Sequence, residues 1–206
     1  LNTLYELATL AFPLLSATAV SAGVRDYVTG PEAGGELLGC WRTEIGTLGR
    51  MLVLRGFRTA EALSAERNRA LFSASPFNAG SVVTALEMDS YAPFPFLPPV
   101  EAGERGAVYE FRTYRLKPGG LPPTLAGWQA AMAPAREYTR HLVINMYALD
   151  GPPRITHIWG FASLEQRAAL RAQHYEAGVW PPNGGPENIL EASNTIALPE
   201  RHSPLR

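Results

Sequence analysis

The period of the apolar pattern changes several times along the second half of the chain, and each change marks an element. Val108–Leu116 alternates β-forming residues with a period of two and predicts a strand. Leu125, Trp128 and Met132 recur at helical spacing, which predicts a helix within Pro122–Tyr138 that Pro134 bends or ends early. Two strand-like runs, His141–Leu149 and Arg154–Phe161, flank the turn Asp150-Gly151-Pro152-Pro153. Ser163 and Gln166 are spaced as a capping box and open a second helix. A last strand falls within Ile189–Leu198.

The same grammar occupies the first half. Leu4-Tyr5-Glu6-Leu7 matches Val108-Tyr109-Glu110-Phe111, and Tyr109 follows Tyr5 by 104 positions. That offset sets Arg50 on Arg154, Gly56-Phe57 on Gly160-Phe161, Arg67 on Arg171 and Pro95 on Pro199 without a gap. The chain therefore reads as two diverged repeats, residues 1–103 and 104–206, joined by the stretch from Pro93 to Gly106. The order β-α-β-β-α-β in each is that of a ferredoxin-like unit, so the fold class is α+β. One face of such a sheet is covered by helices and the other needs a partner. Two sheets in one chain are expected to meet as a pseudo-dimer with a barrel-like interior, and a homo-oligomer of whole chains is compatible with that arrangement.

Composition agrees with extensive burial: 46% of residues are apolar and 18% charged, against about 25% charged in an ordinary soluble domain. The net charge of −1 gives no electrostatic reason to expect nucleic acid as a partner. Residues 1–103 carry seven Arg and ten acids, whereas residues 104–206 carry ten Arg, one Lys and nine acids, so the second repeat is the basic one. Lys117, the sole lysine, sits in the turn Lys117-Pro118-Gly119-Gly120 and makes Schiff-base chemistry a poor expectation. Cys40 is the sole cysteine, so no intrachain disulfide forms. Leu7 to Val24 is uncharged but is diluted by Pro13, Ser16, Thr18 and Ser21, and Glu6 stands where a signal would carry positive charge. It reads as strand plus helix, so integral membrane association is not expected and a cytoplasmic location is.

The second repeat resembles the NIPSNAP family. The carrying residues run from Val108 to Gly119, then Ile155-Thr156-His157-Ile158-Trp159-Gly160-Phe161, Ser163-Leu164-Glu165-Gln166-Arg167, Trp180-Pro181 and Ser203-Pro204-Leu205. The first repeat looks like a degenerate copy that lacks the His-Ile-Trp motif. The resemblance implies a dimeric α+β barrel, often as tandem domains, and no settled reaction. Related barrels include cofactor-independent monooxygenases, haem-handling enzymes and isomerases, among which fold alone does not choose.

Residues present in one copy only are the better candidates for a site. His157 corresponds to Val53, Trp159 to Arg55 and Arg112 to Ala8. Tyr5-Glu6 with Tyr109-Glu110, and Arg67 with Arg171, recur in both copies and read as structural. Glu110, Arg112 and Tyr114 share one strand face, Tyr109, Phe111 and Thr113 the other. The more apolar second set suits the helix-covered side, which directs Glu110, Arg112 and Tyr114 into the barrel to bind substrate. Arg112 there would hold a carboxylate, enolate or phenolate. His157 then reads as a proton-transfer group with Trp159 as an aromatic wall, or as a hydrogen-bonded member of an inert core stripe.

His141, His157, His174 and His202 form no H-E-x-x-H or Cys/His pattern, so no metal is expected, and there is no phosphate-binding or nucleophile-elbow motif. No cofactor is expected, although haem on an axial His157 or His174 is worth testing against the relatives. Trp180-Pro181-Pro182 with Gly184-Gly185 reads as a loop able to cover a pocket. Two functions follow: a small-molecule ligand bound in the barrel interior by an oxygenase or isomerase without cofactor, or a non-catalytic interaction or scaffold protein.

Overall fold

The computed structural model, which describes residues 1–206, contains the βαββαβ order twice. In the first unit β1 (Leu4–Ala11), α1 (Ala17–Thr29), β2 (Glu36–Ile45), β3 (Arg50–Phe57), α2 (Ala60–Leu71) and β4 (Ala85–Pro93) follow in order. In the second, β5 (Val108–Leu116), α3 (Leu121–Met132), β6 (Leu142–Ala148), β7 (Arg154–Phe161), α5 (Leu164–Glu176) and β8 (Ile189–Pro199) repeat the sequence, with a short α4 (Arg136–Thr139) inserted before β6. The helix expected over Pro122–Tyr138 thus stops at Met132, two residues before Pro134: Ala133 keeps helical dihedrals, but proline has no N–H with which to continue the hydrogen-bond ladder. At α5 Ser163 caps the helix as expected, Gln166 N–H donating to Ser163 Oγ at 3.2 Å, while Gln166 Oε1 accepts from the N–H of Ala162, one residue before the cap, at 2.7 Å.

All ladders are antiparallel, and the eight strands close in the order β1-β3-β2-β8-β5-β7-β6-β4. The two seams between the units are β2 with β8, from Trp41 opposite Pro199 to Ile45 opposite Ile196, and β4 with β6, from Tyr91 opposite Ala148 to Pro93 opposite Met146. Closure leaves no unpaired sheet edge, and it is achieved within one chain rather than by a second copy. Charged contacts brace the second seam: Arg154 reaches Asp89 at 3.0 Å and Asp150 at 2.8 Å, and Arg67 reaches Asp150 at 3.3 Å. No helix is long and apolar enough to cross a membrane.

The barrel interior is a packed apolar core. Fifteen buried side chains fill it, thirteen from the eight strands together with Val100 and Leu205, and Trp41 makes aromatic contact with both Tyr109 and Phe111. An eight-stranded barrel is just wide enough for its own side chains to fill. The C-terminal segment packs onto this core: Leu205 is fully buried in it, and Ser203 Oγ accepts from Cys40 N–H and donates to the Leu205 carbonyl.

Strand parity reverses one expectation. Tyr109 and Phe111 point into the barrel, while Glu110, Arg112, Tyr114, His157 and Trp159 lie on the helix-covered side. The physical reason is access. The closed barrel seals its lumen on every side and therefore takes the most apolar set, whereas the layer between sheet and helices stays open at one end and tolerates charge. The expected ligand site in the barrel interior is thereby not found: the interior is packed, and the candidate residues lie outside it.

Candidate functional site

Between the second-repeat sheet and its helices lies a partly enclosed cavity of about 250 Å³, with every lining residue between Arg112 and Ala192. Its floor is the central strand pair, where Arg112 on β5 sits directly opposite His157 on β7. α3 supplies Trp128 and Thr124, α4 supplies Tyr138, and α5 supplies Arg171 and Tyr175. Trp180, Pro181, Pro182, Gly185 and Pro186 of the loop after α5 also line it. The loop packs against α3 so closely that a Cβ on Gly127 would lie 2.0 Å from the Asn183 carbonyl oxygen. Glycine at that position is what lets the loop approach.

The walls are aromatic. Trp159 stacks on Tyr138 with ring centroids 4.5 Å apart, Trp128 meets Trp180 edge-on at 5.0 Å, and His157 stands edge-on to both Tyr114 and Trp128 at 5.0 Å. Each contact adds geometric rigidity beyond simple burial.

The polar groups are unusual in what they lack. Arg171 forms no ion pair; its Nη1 donates to Tyr138 Oη at 3.1 Å and its Nη2 to Tyr175 Oη at 2.9 Å. Arg112 approaches Glu110 at 3.8 Å, but that same carboxylate oxygen already accepts from Arg167 Nη2 at 2.5 Å. Two guanidinium groups thus share the Glu110 carboxylate, and Arg171 has none. Three residues that line the cavity carry a buried polar atom with no hydrogen-bond partner in the protein: Arg112 Nε, which lies 3.8 Å from Glu110 Oε1, His157 Nε2 and Thr124 Oγ1. Buried polar groups left unpaired cost stability unless a small shift or a bound molecule satisfies them.

His157 is held in a defined state. Trp159 Nε1–H donates to His157 Nδ1 at 2.6 Å. Burial, followed by the Arg112 and Arg171 charges, pushes the imidazole well below its ordinary range, so the ring is neutral. Burial likewise pushes the Tyr138 hydroxyl up to about 12.

Of the residues the sequence singled out, Arg112, Tyr114, His157 and Trp159 come together on this cavity. Glu110 does not reach it: fully buried, it is committed to Arg167 and steadies the floor from behind. Arg171 is the residue that sequence reasoning misjudged. Its recurrence as Arg67 read as structural, and Arg67 is indeed tied to Ser90 and Asp150. Arg171 faces the cavity instead. The missed signal was the spacing of Arg167, Arg171 and Tyr175, which share one helix face with no acid among them.

The first repeat shows the same place filled. Ala8, Leu10, Val24 and Val53 stand where Arg112, Tyr114, Trp128 and His157 stand in the second, and Tyr27 and Phe77 pack among them. Arg55, in the position of Trp159, is buried between Glu6 and Glu66, and Arg69 closes the network on Glu66.

Haem on an axial histidine does not fit this cavity. His157 is the histidine that lines it, and with Nδ1 accepting from Trp159 its proton resides on Nε2, the nitrogen that iron would need. His174 does not line the cavity, and its Nδ1 lies 2.8 Å from the Leu170 carbonyl. No three His, Cys, Asp or Glu side chains come together as a metal site.

The NIPSNAP family model matches residues 109–204. A NIPSNAP family protein of unknown function from Agrobacterium tumefaciens is 32% identical and covers 52% of this chain and 100% of its own, with a TM-score of 0.44. Over nearly the full length the chain shares its fold with an anthrone oxidase-like protein, at TM-score 0.73 and 12% identity, covering 98% of this chain and 94% of that one. A protein named as a candidate monooxygenase of Lactobacillus acidophilus gives TM-score 0.66 at 12% identity, covering 97% and 94%. A search of curated proteins found no match. The two-unit chain is thus a dimeric α+β barrel closed on itself, and by the sequence of its second unit it belongs to the NIPSNAP family.

Proposed function

We propose that the second repeat binds a small aromatic or unsaturated organic ligand carrying an acidic oxygen, in the cavity between sheet and helices. The observation that carries this reading is an aromatic-walled cavity lined by two arginines, Arg112 and Arg171, and the neutral His157, with no carboxylate among its lining residues. A dry cavity of about 150 Å³ accepts benzene, so about 250 Å³ suits a compound of one or two rings. The reaction class we propose is that of an oxygenase or isomerase working without a cofactor. Both chemistries pass through an enolate or phenolate, and preorganised donors in a desolvated site stabilise such an oxyanion. The names of the two full-length structural neighbours agree with the oxygenase side.

Calorimetric titration with salicylate, compared with benzyl alcohol, tests the binding. Salicylate is expected to bind at micromolar to low millimolar concentration and benzyl alcohol at least tenfold more weakly. Oxygen uptake and deuterium exchange with benzoylacetone then test the chemistry. Absence of salicylate binding to folded protein defeats the proposal.

A second reading, a protein-interaction role, is favoured by one observation. Leu15 is fully exposed, and Leu14 and Leu48 beside it are at least half exposed, Leu14 lying against Gly49 of the β2–β3 turn. Sedimentation of the protein before and after Leu15→Ser tests it: a sedimenting assembly lost on substitution supports an interface there, and a monomer in both cases removes self-association.

A further inference from the structure

We propose that this cavity selects the ionised form of an acidic phenol or enol, because Trp159 locks His157 as a hydrogen-bond donor and no group on the cavity is free to act as a base. The inference rests on the ligand-binding reading above and names the substrate class of the same site.

The lock follows from elementary donor chemistry. An indole N–H can only donate, so the nitrogen it meets at 2.6 Å, His157 Nδ1, must present a lone pair. A neutral imidazole with a lone pair on Nδ1 carries its proton on Nε2. That nitrogen is buried and has no partner in the protein, so it has an N–H to offer and nothing to accept with.

The other polar groups around the cavity repeat this polarity. From β5, Arg112 is a cation whose Nε lies 3.8 Å from Glu110 Oε1 and whose residue lines the cavity. From α5, Arg171 donates to the oxygens of Tyr138 on α4 and Tyr175 on its own helix. Each hydroxyl therefore accepts from Arg171 and keeps its own hydrogen for another acceptor. Burial raises the Tyr114 and Tyr138 hydroxyls, which keeps them protonated and donating. The nearest carboxylate, Glu110, is not among the lining residues: it lies beneath Arg112, with Oε1 bound to Arg167 and Oε2 buried without a partner. The same two guanidiniums that oppose a charge on His157 favour one of opposite sign on a bound oxygen. A ligand entering this ring of donors is stabilised as an anion, and the proton it loses goes to solvent before binding rather than to the protein. The substrate class is accordingly one that ionises by itself near neutral pH: nitrophenol-like or polyhydroxylated aromatics and 1,3-dicarbonyl enols.

Para-nitrophenol reads this directly, because its neutral and ionised forms differ in colour. Saturation with protein is expected to move the phenol–phenolate midpoint down by about one pH unit or more, a tenfold or greater preference for the phenolate. Trp159→Phe keeps the aromatic wall and removes the N–H; it is expected to cut that preference at least threefold. Nitrogen-15 spectra of the unmodified protein are expected to show His157 protonated on Nε2 and not on Nδ1 from pH 5 to 8. Binding with an unchanged or raised midpoint overturns the selection and leaves the ligand site standing. No saturable binding of either para-nitrophenol or salicylate overturns the underlying reading. A proton on Nδ1 overturns the lock whether or not the Trp159 variant folds.

Discussion

Arg55 and Trp159 occupy the same position in the two repeats, 104 residues apart, and they do opposite things there. Arg55 is almost wholly buried and joins Glu6 to Glu66, closing the first repeat. Trp159 is equally buried, stacks on Tyr138 and fixes His157, forming the wall of an open cavity in the second. A duplicated scaffold has been filled with compensated charge on one side and left with uncompensated donors on the other.

Arg55→Met should therefore be costly to stability and nearly silent in binding. Removing one partner of a buried ion network strands the rest, at a cost of about 3–5 kcal/mol. Here Glu6 would be left with no partner, and Glu66 with only Arg69 and the Gly34 N–H. Urea unfolding should show a loss of that size, and replacing Glu6 and Glu66 with Gln in the same chain should restore most of it. Salicylate affinity of the folded protein should change less than about twofold, since the two sites share no residues and distant substitutions act independently.

Arg171→Met should show the reverse pattern. Hydrogen bonds to charged groups contribute about 1.5–3 kcal/mol, which predicts roughly 10–100-fold weaker salicylate binding by calorimetry. Stability should fall little, because Arg171 bonds only to two tyrosine hydroxyls and breaks no ion pair. Arg171→Lys should recover only part of the affinity, since an ammonium cannot span Tyr138, Tyr175 and a ligand with a planar fork.

The repeat and its elements were legible because they rest on local chemistry. The 104-residue offset, the capping residues Ser163 and Gln166, and Pro134 ending α3 are all short-range signals, and each appears in the structure at its place. Which face of β5 meets the helices was not legible in the same way. Both faces of that strand are half polar, and the deciding fact is that β2–β8 and β4–β6 pairing seals the barrel, a contact between residues far apart in sequence. The error sent Arg112 and His157 to the wrong side of the sheet without separating them, because parity keeps cross-strand neighbours together whichever way the sheet turns. Arg171 was lost for another reason. Its likeness to Arg67 was real, but the two arginines answer to different surroundings, an Asp150 in one case and two tyrosines in the other.

Gly127→Ala should separate the loop from the cavity. A Cβ 2.0 Å from the Asn183 carbonyl cannot be accommodated by side-chain motion, so Trp180–Pro186 must move outward. Alanine also favours the helix itself by up to about 1 kcal/mol. The expected result is a protein of similar or modestly reduced thermal stability whose salicylate affinity falls at least tenfold. The position of the loop can be followed by the fluorescence of the tryptophans that Trp180 contacts, Trp128 and Trp159.

The dependence of stability on pH should carry the signature of His157. Burial depresses His157, and also His141 and His202, below the ordinary histidine range. In the unfolded chain each takes up a proton near pH 6.5, which the folded chain resists, so the unfolded state binds more protons as pH falls below that value. Stability from these groups is fully present above about pH 6.5 and is lost as pH falls toward their folded values, at up to about 1.4 kcal/mol per pH unit for each histidine. Glu66 and Asp150 are depressed too, their burial outweighed by Arg69 and Arg55 in one case and by the Ser90 N–H and Arg154 in the other. Their contribution is lost only below the ordinary carboxylate range, near pH 4, so the two windows separate. His157→Gln retains an oxygen that can accept from Trp159 and does not titrate. Urea unfolding measured from pH 5 to 8 should therefore show a slope shallower by about one proton in this variant. An unchanged slope would mean that His157 exchanges its proton as freely in the folded chain as in the unfolded one, which is incompatible with a neutral imidazole held between Trp159 and two guanidiniums.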